Sequence, residues 1–117
     1  ELNRGGRSIN FHLIYITVPT QEEAMSIGQA LVSHRLAACV NILEHMHAIY
    51  WWKGEMESGE EVVLLAKTRG SLVTEVVRKV TAMHSYECPC VVSVPITGGH
   101  PAFLEWISQE TRKPSEL

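Results

Sequence analysis

The pattern of apolar and polar residues predicts a strand followed by a helix at the start of the chain. Phe11–Val18 is apolar at nearly every position, which is typical of a strand covered on both faces. Pro19 ends this strand, and Thr20 and Glu23 have the spacing of a capping box, in which each side chain bonds the other residue's amide. Small and apolar residues then recur at helical spacing to about Arg35. They are Ala24, Ile27, Gly28 and Leu31.

The next part of the chain predicts a long β-hairpin. Ala38–Trp52 is rich in β-branched and aromatic residues, residues 53–60 (KGEMESGE) supply the turn, and Glu61–Arg69 returns as a second strand. A strand of ~15 residues spans ~50 Å at ~3.3 Å per residue, more than a domain of this size covers. Because the far end, Met46–Trp52, is too apolar to stand in water, we expect the hairpin to dock onto another copy of the chain.

The remaining residues complete an alternating order of elements. Gly70 and Ser71 begin a second helix, Cys90–Thr97 forms a fourth strand, and Pro101 stands in the first turn of a short terminal helix. The predicted fold is therefore α+β and ferredoxin-like, a split βαβ in the order β-α-β-β-α-β plus a C-terminal helix. The second helix has an apolar stripe that we expect to be buried, formed by Leu72, Val73, Val76, Val77, Val80 and Met83.

Length and composition fit one ordinary globular domain. The chain has 117 residues, of which 45% are hydrophobic and 20% charged, and most domains hold about 100–150 residues. We assign residues 11–112 to a single domain. Residues 1–10, polar and Gly-rich, are expected to be a flexible N-terminal segment, and residues 113–117 a C-terminal tail.

Charge and cysteine content narrow the range of partners and compartments. The formal net charge is −3 and the ten Lys and Arg residues are scattered, which argues against nucleic-acid binding. The longest run without an acidic or basic side chain, Cys88–Leu104, is interrupted by prolines and glycines, so we expect no direct membrane insertion. Three cysteines make a poor disulfide framework. We therefore expect reduced thiols and a cytoplasmic protein.

The seven residues from His84 to Cys90 (HSYECPC) carry an imidazole, a phenol, a carboxylate and two thiols. They lie between the second helix and the fourth strand, in a loop position where functional residues concentrate. The alternative is an ordinary helix end, in which His84 satisfies carbonyls of the last turn and Tyr86 packs. The residues alone favour the second interpretation, and both stay open.

The thiols and the other histidines give weaker signals. Cys88 and Cys90 have no second cysteine pair to complete a four-ligand zinc site. For these two residues, as for Cys39, the favoured interpretation is a buried strand cysteine that acts as a small apolar residue. His45 and His47, at i and i+2 of a strand, share one face and form either a metal-binding pair or part of an exposed edge.

Two further features are ambiguous, and no catalytic motif accompanies them. Lys67 interrupts an apolar strand, so its amino group either reaches the sheet edge or holds an anion or carboxylate. The Trp51–Trp52 pair stacks on a ligand or, as we favour, packs at an interface. The sequence has no nucleophile-elbow, Walker, Rossmann or zinc-protease motif, and we expect no enzymatic activity.

Several short motifs, in order and together covering roughly residues 11–112, resemble the CutA family of divalent-cation tolerance proteins. The matching stretches are RLAACVN (35–41), IYWWKG (49–54), KT (67–68), HSYE (84–87), VPI (94–96) and FLEWI (103–107). The resemblance implies a ferredoxin-like fold with a long hairpin between the second and third strands, assembled as a homotrimer similar to the PII signalling proteins. It implies no established catalytic activity.

The resemblance also implies a function and a site. Family members are linked to tolerance of copper and other divalent metals, so the implied cofactor is copper or another divalent cation, and the implied role is a response to metal ions. The alternatives are a PII-like small-molecule sensor and, as implied for animal members, a factor in membrane anchoring of acetylcholinesterase. The implied ligand pocket lies between subunits and contains Cys39, Trp52, Lys67, His84, Tyr86 and Glu87.

Within this pocket, His84, Glu87 and Cys39 are the expected metal ligands. In the sensor alternative, Lys67 and Trp52 hold an anionic metabolite. An enzyme would need Cys39 and His84 to form a nucleophile–base pair, which requires the fold to bring them within reach.

The chain departs from the family pattern at several positions, and Cys88 and Cys90 are not part of the usual pattern. Ser85 replaces a proline, which we expect to loosen the loop. Met83 and Ile16 stand where the family can have a His and a Cys, so we expect weak metal binding.

The far end of the hairpin is the expected trimer interface. It carries four large apolar or aromatic side chains, and burying each is worth about 1.5–3 kcal/mol. They are Ile49, Tyr50, Trp51 and Trp52.

Overall fold

Four strands and three helices alternate along the chain in the predicted order. The computed structural model describes residues 10–113. Most of the predicted flexible segment (1–10) and of the tail (113–117) lies outside the described residues. The elements are β1 (Phe11–Val18), α1 (Gln21–Ser33), β2 (Cys39–Trp52), β3 (Glu55–Arg69), a 3₁₀ turn (Gly70–Leu72), α2 (Val73–Met83), β4 (Val91–Ile96) and α3 (Pro101–Glu110).

The strands form one antiparallel sheet in the spatial order β2-β3-β1-β4. β1 lies in the centre of the sheet beside β3 and β4, and β2 and β4 are the edges. This order and the alternating helices confirm the predicted α+β, ferredoxin-like split-βαβ fold. No helix within residues 10–113 has the length and apolar character that a membrane span requires.

One face of the sheet packs against α1 and α2 and forms the core. Ile14, Ile16 and Val18 of β1 are buried there together with Leu64 and Ala66 of β3. The stripe predicted for α1 is buried at every position, whereas in α2 only Val76 and Val80 of the predicted helical positions are buried, along with Leu72 in the turn before it.

The opposite face of the sheet, which we call the open face, is only partly covered. Because alternate residues of a strand point to opposite sides, Leu13 and Tyr15 lie on this face, and both are only half-buried. The expectation that β1 is covered on both faces is therefore wrong within one chain. Val92 and Val94 of β4 lie on the same face and are about half exposed (50% and 48%).

The N-terminus of α1 has only half of the predicted capping box. Thr20 Oγ1 accepts a hydrogen bond from the Glu23 amide at 3.1 Å. The Glu23 carboxylate does not return the bond, because it accepts from the backbone amide and the hydroxyl of Ser85 instead. The first turn of α1 is thereby linked to the loop that follows α2.

The hairpin turn is much shorter than predicted. It consists of Lys53 and Gly54, both with positive φ (51° and 83°), as in the two-residue turns that match the twist of paired strands. β3 begins at Glu55, which pairs with Trp52. The polar stretch 53–60 was predicted as a turn, but residues 55–60 are exposed strand residues, and polar side chains there are stable in water.

A β-bulge divides β2 into two parts. The register with β3 shifts between Leu43 and Met46, and His45 has a φ of 63°. Before the bulge, Val40 and Ile42 pack against the core; after it, the strand continues as a projecting arm, and the described chain measures 51 × 25 × 22 Å. The bulge also breaks the alternation on which the His45–His47 pair was predicted.

We expect Gly54→Ala to destabilise the chain by about 1–2 kcal/mol, because a Cβ is unfavourable at positive φ. No atom of residues 10–113 lies within 4 Å of the added Cβ, so the expected cost is backbone strain. Gly59→Ala is the matched control, since it also has open space but no positive φ. Urea unfolding at one protein concentration measures both variants; an equal loss in the two would contradict the assigned turn.

Candidate functional site

Polar side chains gather at two separate places along the β2–β3 hairpin. The first is near the base of the hairpin, where β2 begins, and contains Cys39, Asn41 and Lys67. The second is farther along the arm, where the α2–β4 loop lies against it, and contains Tyr86, Glu87 and Glu61. The six pocket residues predicted from the sequence are divided between and around these two places.

Strand register positions the cluster at the base of the hairpin. Cys39 pairs directly with Lys67 across the two strands. The Lys67 ammonium donates a hydrogen bond to the Asn41 side-chain carbonyl and contacts the Cys39 sulfur at 3.6 Å. Of the two interpretations of Lys67, neither describes the single chain fully, because the residue is half-buried and its amino group contacts an amide and a thiol.

His84 holds the α2–β4 loop in place from a buried position. Its side chain has no solvent exposure, Nε2 lies 2.7 Å from the Thr17 carbonyl oxygen, and Nδ1 accepts the Tyr86 amide at 3.0 Å. A ring that donates from Nε2 and accepts at Nδ1 is the neutral Nε2–H tautomer. Metal binding through His84 would require one of these two hydrogen bonds to break.

Ser85 is bound and does not loosen the loop as expected. Its amide and its hydroxyl both donate to the Glu23 carboxylate, at 2.9 and 2.7 Å. A proline here, as in the family pattern, could make neither bond. The expectation of a looser loop is therefore wrong, because the serine side chain and backbone replace the rigidity of a proline ring with two hydrogen bonds to α1.

Tyr86 connects this loop to the hairpin. Its hydroxyl donates to the Glu61 carboxylate at 2.7 Å, and its ring lies against His84 with centroids 4.9 Å apart. Partial burial of the phenol, followed by the hydrogen bond and the negative charge of Glu61, raises the pKa of Tyr86 well above its usual value. The phenol therefore stays protonated at neutral pH and acts as a hydrogen-bond donor.

Glu87 lies close to the hairpin turn. Its carboxylate is 3.5 Å from the Lys53 ammonium, which also lies 5.4 Å from the ring centroid of Trp52, within the range of a cation–π contact. Both partners of the ion pair are mostly exposed, so the pair adds little to stability. The Glu87 carboxylate is accordingly available to a ligand that competes with Lys53.

A groove of about 800 Å³ runs between the hairpin arm and the α2–β4 loop. Of the six predicted pocket residues it contains Trp52, Tyr86 and Glu87, whereas Cys39, Lys67 and His84 lie outside its lining. The other lining residues are Tyr15, Thr17, Met46, His47, Ala48, Ile49, Tyr50, Glu61, Ser85, Cys88 and Cys90.

The cysteines of the loop differ from the expectation. Cys88 and Cys90 are exposed and free, and both line the groove, so their interpretation as buried apolar residues is wrong. Cys90 immediately precedes β4 and is not inside it. Glu61 was missed because it was assigned to the start of a strand with no expected partner, and only the fold places Tyr86 beside it.

The expected metal ligands do not form a preassembled centre. Among residues 10–113, no three or more His, Cys, Asp and Glu side chains are grouped closely enough to hold a metal ion. Cys39 contacts Lys67, Glu87 pairs with Lys53, and His84 is bound to backbone groups. The set His84, Glu87 and Cys39 stays a prediction, and so does the Cys39–His84 nucleophile–base pair.

A comparison with models of protein families shows which family this chain resembles. A family model described as CutA1 divalent ion tolerance protein matches residues 12–110. The chain belongs to the CutA family. The resemblance noted in the sequence is thus confirmed over nearly the whole chain.

Curated CutA proteins from distant organisms are similar to this chain. Identity is 43% to the divalent-cation tolerance protein CutA of Archaeoglobus fulgidus, over 84% of this chain and 95% of that protein. It is 40% to the Thermus thermophilus protein of the same name, over 85% and 96%. Identity to the rice chloroplastic protein CutA 1 is 39%, over 86% of this chain but 57% of that protein. The match likewise covers 62% of the Arabidopsis thaliana chloroplastic protein, so this chain spans less than two thirds of the plant relatives.

Solved CutA structures have the same fold. The CutA1 crystal structure from Oryza sativa has a TM-score of 0.87 at 37% identity, covering 91% of this chain and 97% of that one. The A. fulgidus protein, described as a periplasmic divalent cation tolerance protein, has a TM-score of 0.83 at 42% identity, covering 86% and 97%. Relatives are thus described from more than one compartment, and the cytoplasmic location of this chain stays a prediction.

We expect Glu61→Gln to lower the pKa of Tyr86 toward its usual value of about 10, because it removes a charge that disfavours the phenolate. At a pH below about 10, the Tyr86 phenol is protonated in both the folded and the unfolded chain. At higher pH the unfolded chain loses this proton first, so the stability of the folded chain falls as the pH rises. This alkaline loss should be smaller in Glu61→Gln. Tyrosinate absorbance and urea unfolding against pH measure the two effects.

The matched control is Glu60→Gln, since Glu60 precedes Glu61 on the same strand and lies near His45. The Glu60→Gln substitution should leave the titration of Tyr86 unchanged. An equal shift in both variants would show that general charge, and not the Tyr86–Glu61 bond, sets the titration.

Proposed function

We propose that this chain is a homotrimeric divalent-cation tolerance protein that binds copper or another divalent cation at the groove and responds to metal ions. The proposed role is binding without catalysis, in the cytoplasm. Membership of a family described by divalent ion tolerance supports the class of ligand. The observation that carries the placement is the pair of carboxylates, Glu61 and Glu87, in one groove.

The groove suits a cation by charge and by donor type. Glu87 is held only by an exposed pair with Lys53, and a cation that displaces the ammonium gains a carboxylate oxygen. His47 also lines the groove, and imidazole is a good donor for copper and zinc. Because no three donors are preassembled in the described chain, we propose weak binding in which water completes the coordination.

The sensor alternative is less well supported than cation binding. It requires Lys67 and Trp52 to hold one ligand, but Trp52 pairs with Glu55 and Lys67 lies twelve residues farther along β3. At ~3.3 Å per residue the two positions are ~40 Å apart in one chain. A shared ligand would therefore need Lys67 from one subunit and Trp52 from another. The acetylcholinesterase role depends on the resemblance alone.

We expect Glu87→Gln to raise the dissociation constants for Cu²⁺, Zn²⁺ and Mn²⁺ by about tenfold or more, since it removes a charged donor from the groove. Isothermal titration calorimetry of the purified chain measures this. Glu57→Gln is the matched control, because Glu57 is an exposed carboxylate of the same hairpin that does not line the groove. Unchanged binding in Glu87→Gln would remove Glu87 from the site.

Assembly is proposed from the apolar surface that the single chain leaves in water. On the hairpin arm, Ile49 and Trp51 are both 74% exposed and Met56 is 67% exposed. The open face adds Leu43, Val92 and Val94, each about half exposed. Patches of this extent mark sites of protein association, and each large side chain buried contributes about 1.5–3 kcal/mol.

The exposed edge of β2 favours association through strands. β2 is an edge strand of 14 residues, and such an edge presents unpaired backbone groups to any similar strand. Identical chains reach a closed assembly only through cyclic contacts. A three-fold arrangement, as the family resemblance implies, would let the arm of each chain cover the open face of the next.

We expect Ile49→Glu to dissociate or destabilise the assembly, because it places a charge in the buried part of the proposed interface. Light scattering should give three times the mass of one chain for the unmodified protein and a lower mass or aggregation for the variant. Met25→Glu, at a 43% exposed position of α1 away from the arm, is the control and should stay trimeric. A monomeric unmodified protein at micromolar concentration would overturn the proposal.

A further inference from the structure

Two free thiols face the groove from one short segment. Cys88 and Cys90 are both exposed, neither is in a disulfide, and both line the groove. The third cysteine, Cys39, is elsewhere and contacts Lys67. The single chain therefore has one pair of neighbouring exposed thiols in the groove and one isolated thiol that serves as an internal comparison.

The backbone holds the two thiols in a restricted arrangement. Cys88 ends a bend that covers residues 86–88, and Pro89, between the two cysteines, has a fixed φ. The Cys90 carbonyl accepts the Thr17 amide at 3.3 Å, which ties the segment to β1. Both side chains line the same groove, which is the observation that brings them to one site.

Paired thiolates select a particular class of ligand. Thiolate and thioether sulfurs are soft donors that favour soft ions such as Cu(I) over oxygen-preferring ions such as Mn²⁺. Met46, from the β2 arm, lines the same groove and is also a soft donor. Glu61 and Glu87 add negative charge beside the thiols, which favours the approach of any cation.

We propose that Cys88 and Cys90 form a binding site for a soft monovalent d¹⁰ cation of the Cu(I) class, held by two thiolates of one chain. Each thiol loses its proton as its metal–sulfur bond forms, so each bound ion releases two protons and binding tightens as the pH rises. Two sulfur donors suffice for such an ion, and no preassembled three-ligand centre is needed. This site is separate from the carboxylate site proposed for divalent cations.

Competition with a chromophoric Cu(I) chelator under anaerobic, reducing conditions tests the site on the whole chain. The unmodified protein should take one Cu(I) per chain from the chelator. Cys88→Ser and Cys90→Ser should each weaken binding at least about 100-fold, since even loss of an outer-shell partner weakens metal sites about 10- to 100-fold. Cys39→Ser, the matched control, should bind as the unmodified protein does.

A second measurement needs no variant. Bound Cu(I) should protect Cys88 and Cys90, but not Cys39, from alkylation, as read by mass spectrometry of the peptides. X-ray absorption should show sulfur neighbours around the metal. Transfer of no Cu(I) to the unmodified protein, equal protection of all three cysteines, or a spectrum with nitrogen and oxygen neighbours alone would each overturn the site.

The two proposed sites can fail independently. Mn²⁺ binding should persist in the Cys88→Ser, Cys90→Ser double variant and weaken in Glu87→Gln. Cu(I) binding should be lost in the double variant and weaken far less in Glu87→Gln, which removes only a neighbouring charge. Loss of both ions in the double variant, with its thermal unfolding unchanged, would show one shared site and contradict the separate dithiol site.

Discussion

The pairing of β2 with β3 over almost their whole length is the interaction on which the rest of the structure depends. Near the core it places Cys39 opposite Lys67. Past the bulge it extends both strands beyond the region that α1 and α2 cover, so that Tyr50 and Trp52 line a groove and Ile49 stands in water. In this exposed part of the hairpin, the strand pairing from His47 to Trp52 with Glu55 to Glu60 holds the arm together.

The α2–β4 loop completes the groove because buried contacts fix it from behind. His84 bonds the Thr17 carbonyl and the Tyr86 amide, and Ser85 bonds Glu23 of α1. With these residues fixed, Tyr86 can reach Glu61 on the arm. The residues that hold the loop thus differ from those that line the groove. The His84 imidazole, which the sequence suggested as a metal ligand, is buried and hydrogen-bonded. The thiols of Cys88 and Cys90, which were predicted to be buried, are exposed.

Much of the fold and part of the site could be predicted because the signals that set them lie within short stretches of the sequence. Strand and helix periods, the proline after β1 and the Thr20 cap act over a few residues, so they predicted the element order and the buried stripe of α1. The hairpin turn was placed wrongly because the polar residues 55–60 are typical of a loop. Their strand conformation depends on pairing with the residues from His47 to Trp52, which the local pattern does not contain.

The sequence by itself determined the family, the order of the elements, and which side chains carry imidazole, carboxylate, phenol and thiol groups. Only the tertiary structure decided which of these meet. Tyr86 and Glu61 are 25 positions apart and Lys53 and Glu87 are 34 apart, and contacts over such separations depend on strand register and on the path of a loop. The bulge at His45 sets the path of the arm, and the hydrogen bonds of His84 set the path of the loop. These two paths determine which side chains meet and which groups face the groove.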